Sequence, residues 1–115
     1  MSTKNREKVI RQFHRQAPLF SALGDPSRID LLMKLSDGKL HSITELTEGT
    51  SVSRQAVTKH LRILEDASLI RGIRKGRESL FRIEPRSLDE AKYTLDEISR
   101  QWDQALSRLK AFVEE

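Results

Sequence analysis

The chain has no cysteine. Disulfide frameworks and thiolate metal sites are therefore excluded. No apolar run approaches the roughly 20 residues that a membrane-spanning helix needs. The first residues, MSTKNREKVIRQ, lack the hydrophobic region of a secretory signal. A soluble, cytoplasmic protein with no membrane partner is the expectation. The sequence also lacks a glycine-rich phosphate loop, a cluster of metal ligands and a cysteine nucleophile. Asp25 and Ser27 are explained by helix capping. No catalytic residue and no cofactor is expected, and the chain is not read as an enzyme.

What is present is charge, and it is unevenly spread. The 115 residues carry a net charge of +4. Residues 1–53 are close to balanced at +2, residues 54–82 hold 8 basic against 3 acidic residues, and residues 83–115 fall to −3. A partner that selected only for basicity would not require this pattern. At this length one domain, or one domain with an added helix, is expected, burying about two-thirds of its extended-chain surface without staples.

The positive stretch contains SVSRQAVTKHLRIL, Ser51 to Leu64. Ala56, Val57, Leu61 and Leu64 recur at helical spacing and face a core, and Ser53 is a good N-cap. Ser53, Arg54, Gln55, Thr58, Lys59 and Arg62 lie off that stripe. Arg and Lys suit guanine or phosphate, Gln suits adenine and Thr suits either, so this helix reads as one that lies in the major groove of DNA.

The flanking segments support such a helix. An amphipathic helix is expected over 7–23, carried by Val9, Ile10, Phe13, Ala17 and Phe20 and ending near Pro18, with a further turn through Leu19 to Leu23. Its basic outer face reads as a solvated one. Gly24-Asp25-Pro26-Ser27 breaks that pattern and starts a helix whose core side is Ile29, Leu32, Met33 and Leu35, ended by Asp37-Gly38. Ser42-Ile43-Thr44-Glu45 fits a capping box that opens a short helix to about Glu48. Gly49 to Ser51 then turn into the reading helix, giving helix, turn, helix.

LIRGIRKGRESLFRIE follows, with strand formers on both sides of Lys75-Gly76. A β-hairpin over about 69–83 is expected, its tip carrying Arg74, Lys75 and Arg77. Tip cations protect an edge strand in many sheets; beside a reading helix they are better suited to a wing that reaches phosphate or the minor groove.

From Ser87 the pattern becomes heptad-like. Leu88, Ala91, Leu95, Ile98, Trp102, Ala105, Leu109 and Phe112 alternate spacings of 3 and 4 without a slip. Residues 87–115 are read as a dimerisation helix with those eight as the interface. The bland alternative is a helix that only closes the monomer core.

These residues resemble the ArsR/SmtB family of bacterial winged-helix repressors. The likeness is carried by FSALGDPSRIDLLMKLSDG, ITEL, SVSRQAVTKHLRILEDASLI and RKGRESLFRI, from Phe20 to Ile83. Ser53, Val57, His60, Leu61 and Leu64 form its most specific part. The resemblance implies a mainly α fold with a small β-hairpin: a winged helix-turn-helix core over 25–83, its recognition helix at about 53–66, with an additional C-terminal dimerisation helix. It further implies a homodimeric repressor on a palindromic operator of double-stranded DNA, commonly at its own promoter. The DNA-reading positions of the family fall on Ser53, Arg54, Gln55, Thr58, Lys59 and His60, with wing contacts from Arg74 to Arg77.

The chain departs from the family at its sensors. Many members sense metals through cysteines where this sequence has Leu40-His41-Ser42-Ile43, and others use histidine on a C-terminal helix that here has none. His14, His41 and His60 are scattered, so no metal site is expected. The expectation is a sequence-specific regulator, most simply an autorepressor controlled by its own level, with any small-molecule effector unknown. The alternatives are a winged-helix protein-interaction module, which should have an apolar reading face, and a repressor with a non-standard metal or small-molecule site.

Overall fold

Three helices of this chain begin where a short polar side chain, Asp25, Ser42 or Ser53, accepts a backbone N–H that the first turn leaves unpaired. The computed structural model describes residues 3–114; Met1, Ser2 and Glu115, the last of these the end of the expected C-terminal helix, lie outside them. In chain order the elements are α1 (Thr3–Arg15), α2 (Ala17–Ala22), α3 (Pro26–Lys34), a 3-10 turn (Leu35–Asp37), β1 (His41–Ser42), α4 (Ile43–Thr47), α5 (Arg54–Asp66), β2 (Ile70–Lys75), β3 (Glu78–Ile83) and α6 (Pro85–Glu114). The chain divides into two compact units, one of residues 17–87 and one joining residues 1–16 to 88–115.

In the first unit the caps set the boundaries. Asp25 Oδ1 accepts from the Ser27 N–H at 2.8 Å, and Pro26 takes the first helical position, where no N–H is needed. The capping box at α4 is complete: Ser42 Oγ accepts from the Glu45 N–H at 3.1 Å, and Glu45 Oε1 accepts from the Ser42 N–H at 3.2 Å. Lys34 at the end of α3 closes the far end of α4 by donating to the Leu46 and Glu48 carbonyls at 3.1 and 3.0 Å. Leu31, Leu35, Leu46, Val57, Leu61 and Leu64 form the buried centre. Each such side chain contributes about 1.5–3 kcal/mol by leaving water.

The sheet has three antiparallel strands in the order β1-β3-β2. β2 and β3 are the expected hairpin, in register from Ile70 opposite Ile83 to Lys75 opposite Glu78. Gly76 turns the hairpin at φ 66°, a left-handed conformation that costs glycine little. β1 was not expected. It lies against β3, with His41 opposite Phe81 and Ser42 opposite Leu80.

Three expectations need correction. The N-terminal helix starts earlier than residue 7, at Thr3, and the break expected near Pro18 falls at Gln16, since Pro18 lacks the N–H that would bond to residue 14; the further turn is α2, from Ala17. On α3, Ile29 and Met33 are exposed rather than inward, and Leu31 takes their place. The inward stripe runs 28, 31, 32 and 35, because the Arg28 side chain finds the Ala22 carbonyl at 2.6 Å. The last helix starts at Pro85 rather than Ser87, with proline in its first turn.

In the other unit α1 and the greater part of α6 lie side by side. Gln16 Nε2 donates to the Glu90 carbonyl at 3.4 Å. Of the eight heptad residues, Ala91 is buried and Leu88 and Ile98 are half-buried, whereas Leu95, Trp102, Ala105, Leu109 and Phe112 are exposed. The buried face includes Thr94, which the heptad reading passed over. Its hydroxyl donates to the Glu90 carbonyl at 3.1 Å, so burying it leaves no unpaired donor.

Candidate nucleic-acid interface

The local sequence of α5 divides its surface in two. Ser53 Oγ accepts from the Ala56 N–H at 3.1 Å and fixes the start of the helix. Val57, Leu61 and Leu64 are buried, which leaves the opposite side to water. Ser53, Arg54, Gln55, Thr58, Lys59 and Arg62 line one continuous open surface there.

Besides the cap Ser53, two of these side chains are held within the protein. Arg54 Nη1 donates to Thr44 Oγ1 on α4 at 2.8 Å, and Thr58 Oγ1 donates to the Arg54 carbonyl at 2.9 Å. Thr44 was missed in the sequence, because a contact ten residues away across a turn leaves no periodic signal. The others point to solvent. Among the described residues, no carboxylate lies within salt-bridge distance of Lys59, Arg62, Arg74, Lys75 or Arg77. Cations left unneutralised in this way remain available to a polyanion.

His60 is set apart. It borders a groove between α3 and the turn before α5, which Ser27, Asp30 and Met33 also line, and not the surface of the other six. Its Nδ1 lies 3.3 Å from Arg28 Nη1. A guanidinium only donates, so Nδ1 is the acceptor in this contact.

The hairpin brings its cations together at the tip. Arg74 pairs across the strands with Ser79 and Lys75 with Glu78, and Arg77 follows Gly76 in the turn. All three basic residues are exposed. Further down, Arg71 Nε lies 3.8 Å from Glu84 Oε2, so that cation is already matched.

His41 occupies a second polar cluster, at the entrance to α4. Its Nε2 lies 2.9 Å from Asp37 Oδ2 and its Nδ1 3.1 Å from Glu45 Oε2. The hydrogen bond to Asp37, aided by Glu45, holds the imidazole pKa above its ordinary value against partial desolvation. The Lys39 N–H and then the His41 ring lower Asp37, and the Ser42 N–H and then the His41 ring lower Glu45. The carboxylates face opposite ring nitrogens, so the three groups do not converge on one point. Among the described residues no group of three or more His, Cys, Asp or Glu is placed to hold a metal ion. No described helix is long and apolar enough to cross a membrane.

Comparison with known proteins bears on this surface. The model of a helix-turn-helix domain family matches residues 23–73. The chain is 41% identical over 75 residues to the uncharacterized HTH-type transcriptional regulator YuzN of Bacillus subtilis, covering 58% of this chain and 82% of YuzN. It is 32% identical over 88 residues to the HTH-type transcriptional repressor SmtB of Mycobacterium tuberculosis, covering 76% of this chain and 63% of that protein. Among solved structures, an ArsR-like transcriptional regulator from Rhodococcus sp. RHA1 superposes with a TM-score of 0.77 at 32% identity, covering 87% of this chain and 93% of that one.

Proposed function

This chain belongs to the ArsR/SmtB family of winged helix-turn-helix transcriptional regulators, a DNA-binding family, and from that premise we propose that it is a homodimeric repressor of an inverted-repeat operator. The observation that carries the reading is the open face of α5, where Gln55, Thr58, Lys59 and Arg62 stand beside Ser53 and Arg54. In this reading the helix enters the major groove. Gln55 and Thr58, with Arg54 and Lys59, discriminate bases, and Arg62, Arg74, Lys75 and Arg77 hold phosphates. His60 contributes through Arg28, which it meets, rather than through DNA.

Two copies are needed to read two half-sites. The support is the apolar side of α6, where Trp102, Leu109 and Phe112 remain 65%, 59% and 75% exposed. Apolar surface of that extent along one helix is a common mark of a protein interface. The Mycobacterium relative is named as a repressor, which supports the same role here. Without cysteine the chain has no thiolate sensor, and control by its own concentration in the cytoplasm requires no further site.

Titrating Gln55→Ala and Arg77→Ala on a selected duplex and on a scrambled one tests the division of labour. Gln55→Ala should relax preference at one position by about 1–3 kcal/mol. Arg77→Ala should weaken both duplexes alike and flatten the salt dependence by about one unit. Indistinguishable profiles for the two variants would defeat the reading.

A further inference from the structure

Strand β2 has a glycine at its centre, where a side chain would normally strengthen the strand. The surroundings of Gly72 account for it. A Cβ at this position would lie 2.6 Å from Glu65 Oε2 and 3.1 Å from Phe81 Cε1. Phe81 is the cross-strand partner of Gly72, and Glu65 belongs to the last turn of α5. The missing side chain lets the Glu65 carboxylate reach the backbone, where Oε2 accepts from the Gly72 N–H at 3.0 Å. β2 is the edge of the sheet, so this N–H has no further strand to meet. An acidic side chain near a DNA-reading helix is otherwise unfavourable, because it repels phosphate.

We propose that Glu65 is a positioning residue for DNA binding: its bond to Gly72 ties the wing to the recognition helix, so that the tip cations and the face of α5 meet one duplex together. The proposal rests on the DNA-reading surface described above. Arg74, Lys75 and Arg77 lie two to five residues beyond Gly72 along the hairpin. A rotation of β2 at its base is magnified at the tip. The other ties between these elements lie at the junction, where the Ser68 and Leu69 N–H groups donate to the Glu65 and Leu64 carbonyls. They fix where the strand starts; the bond at Gly72, three residues further along the strand, adds a tie from the helix to the exposed edge, beyond the pairing of β2 with β3.

Charge and position separate by substitution. Glu65→Gln removes the charge and keeps a carbonyl oxygen that can accept from Gly72. Glu65→Ala removes both. Gly72→Ala breaks the same bond from the other side, by pushing away the flexible carboxylate end. The test measures affinity and its salt slope for the wild-type protein and these variants, alone and combined with Arg77→Ala, on a duplex selected by the wild-type protein. Amide exchange at residue 72 and thermal midpoints are followed in parallel.

Glu65→Ala and Gly72→Ala should weaken binding by about three- to tenfold, the scale of one hydrogen bond, and flatten the salt slope as Arg77→Ala does. Added to Arg77→Ala, either should cost little more, since the wing contact is already lost. Glu65→Gln should retain the wild-type slope and a slowly exchanging Gly72 amide. The proposal is overturned if Glu65→Ala and Glu65→Gln behave alike, or if the Arg77→Ala effect persists undiminished in the Glu65→Ala background. Failure of the wild-type protein to bind any duplex would instead remove the DNA reading on which the proposal stands.

Discussion

The Leu69 N–H donates to the Leu64 carbonyl at 3.0 Å, while the Ser68 N–H donates to Glu65 at 2.9 Å. This pair of bonds is a Schellman closure of the recognition helix, with buried Leu64 and Leu69 as its apolar contact. It forces Ser68 to φ 62°, the one positive φ at a non-glycine among the described residues. A left-handed L-residue costs about 1–2 kcal/mol, part of which glycine returns as lost unfolded-state order. Ser68→Gly is therefore expected to stabilise the protein by about 0.5–1 kcal/mol and raise the melting temperature by roughly 2–6 °C, without changing operator affinity. A calorimetric scan of the two proteins checks this, and an unchanged or lower midpoint counts against the strain.

Lys34 is the counterpart at the other helix of the motif. Its Nζ satisfies the carbonyls of Leu46 and Glu48, which the short α4 leaves open. Lys34→Met keeps the aliphatic stem and removes the donors. A loss of about 1–2 kcal/mol is expected from the denaturant midpoint at unchanged m-value. A loss within measurement error would mean that water closes α4 equally well.

How much of this was legible in the chain depended on the range of the signal. The capping box of Ser42 and Glu45, the Asp25 cap and the hairpin around Gly76 are local patterns, and each stands where the sequence placed it. β1 was invisible because two residues carry no periodicity, and its partners Phe81 and Leu80 lie far along the chain, beyond the recognition helix. On α3 two stripes have equal helical spacing. The more apolar one, with Ile29 and Met33, was chosen, but Arg28 turns inward because the Ala22 carbonyl and His60 accept its protons. Thr94 was overlooked because a rule based on apolarity ignores a hydroxyl that bonds its own helix.

The exposed face of α6 gives a direct test of assembly. Trp102→Glu combined with Leu109→Glu places two charges among Leu106, Ala105 and Phe112. If this face joins two copies, sedimentation should show monomers at concentrations where the wild-type protein is dimeric. Affinity for a full inverted repeat should fall toward that for a single half-site, which itself should be unaffected. A variant that stays dimeric with wild-type affinity would place the interface elsewhere.

His41 predicts how stability follows pH. Both ring nitrogens face carboxylates, an arrangement that suits the imidazolium, whose two N–H groups both donate. Its folded pKa is raised above the ordinary 6.5. The stabilisation from this ring is therefore complete below about pH 6.5 and is lost as pH rises through the folded value. Asp37 and Glu45 are lowered from 3.8 and 4.5, so their share is present above those values and lost as pH falls. The cluster should contribute most between about pH 5 and 6.5. His41→Gln should accordingly destabilise the protein more at pH 5.5 than at pH 8.5, read as the difference in denaturant midpoint from wild type. Because Glu45 also caps α4, the variant should raise amide exchange at residues 42–45 at pH 5.5 in the same direction. A difference that is equal at the two pH values would show that the ring is not held protonated between Asp37 and Glu45.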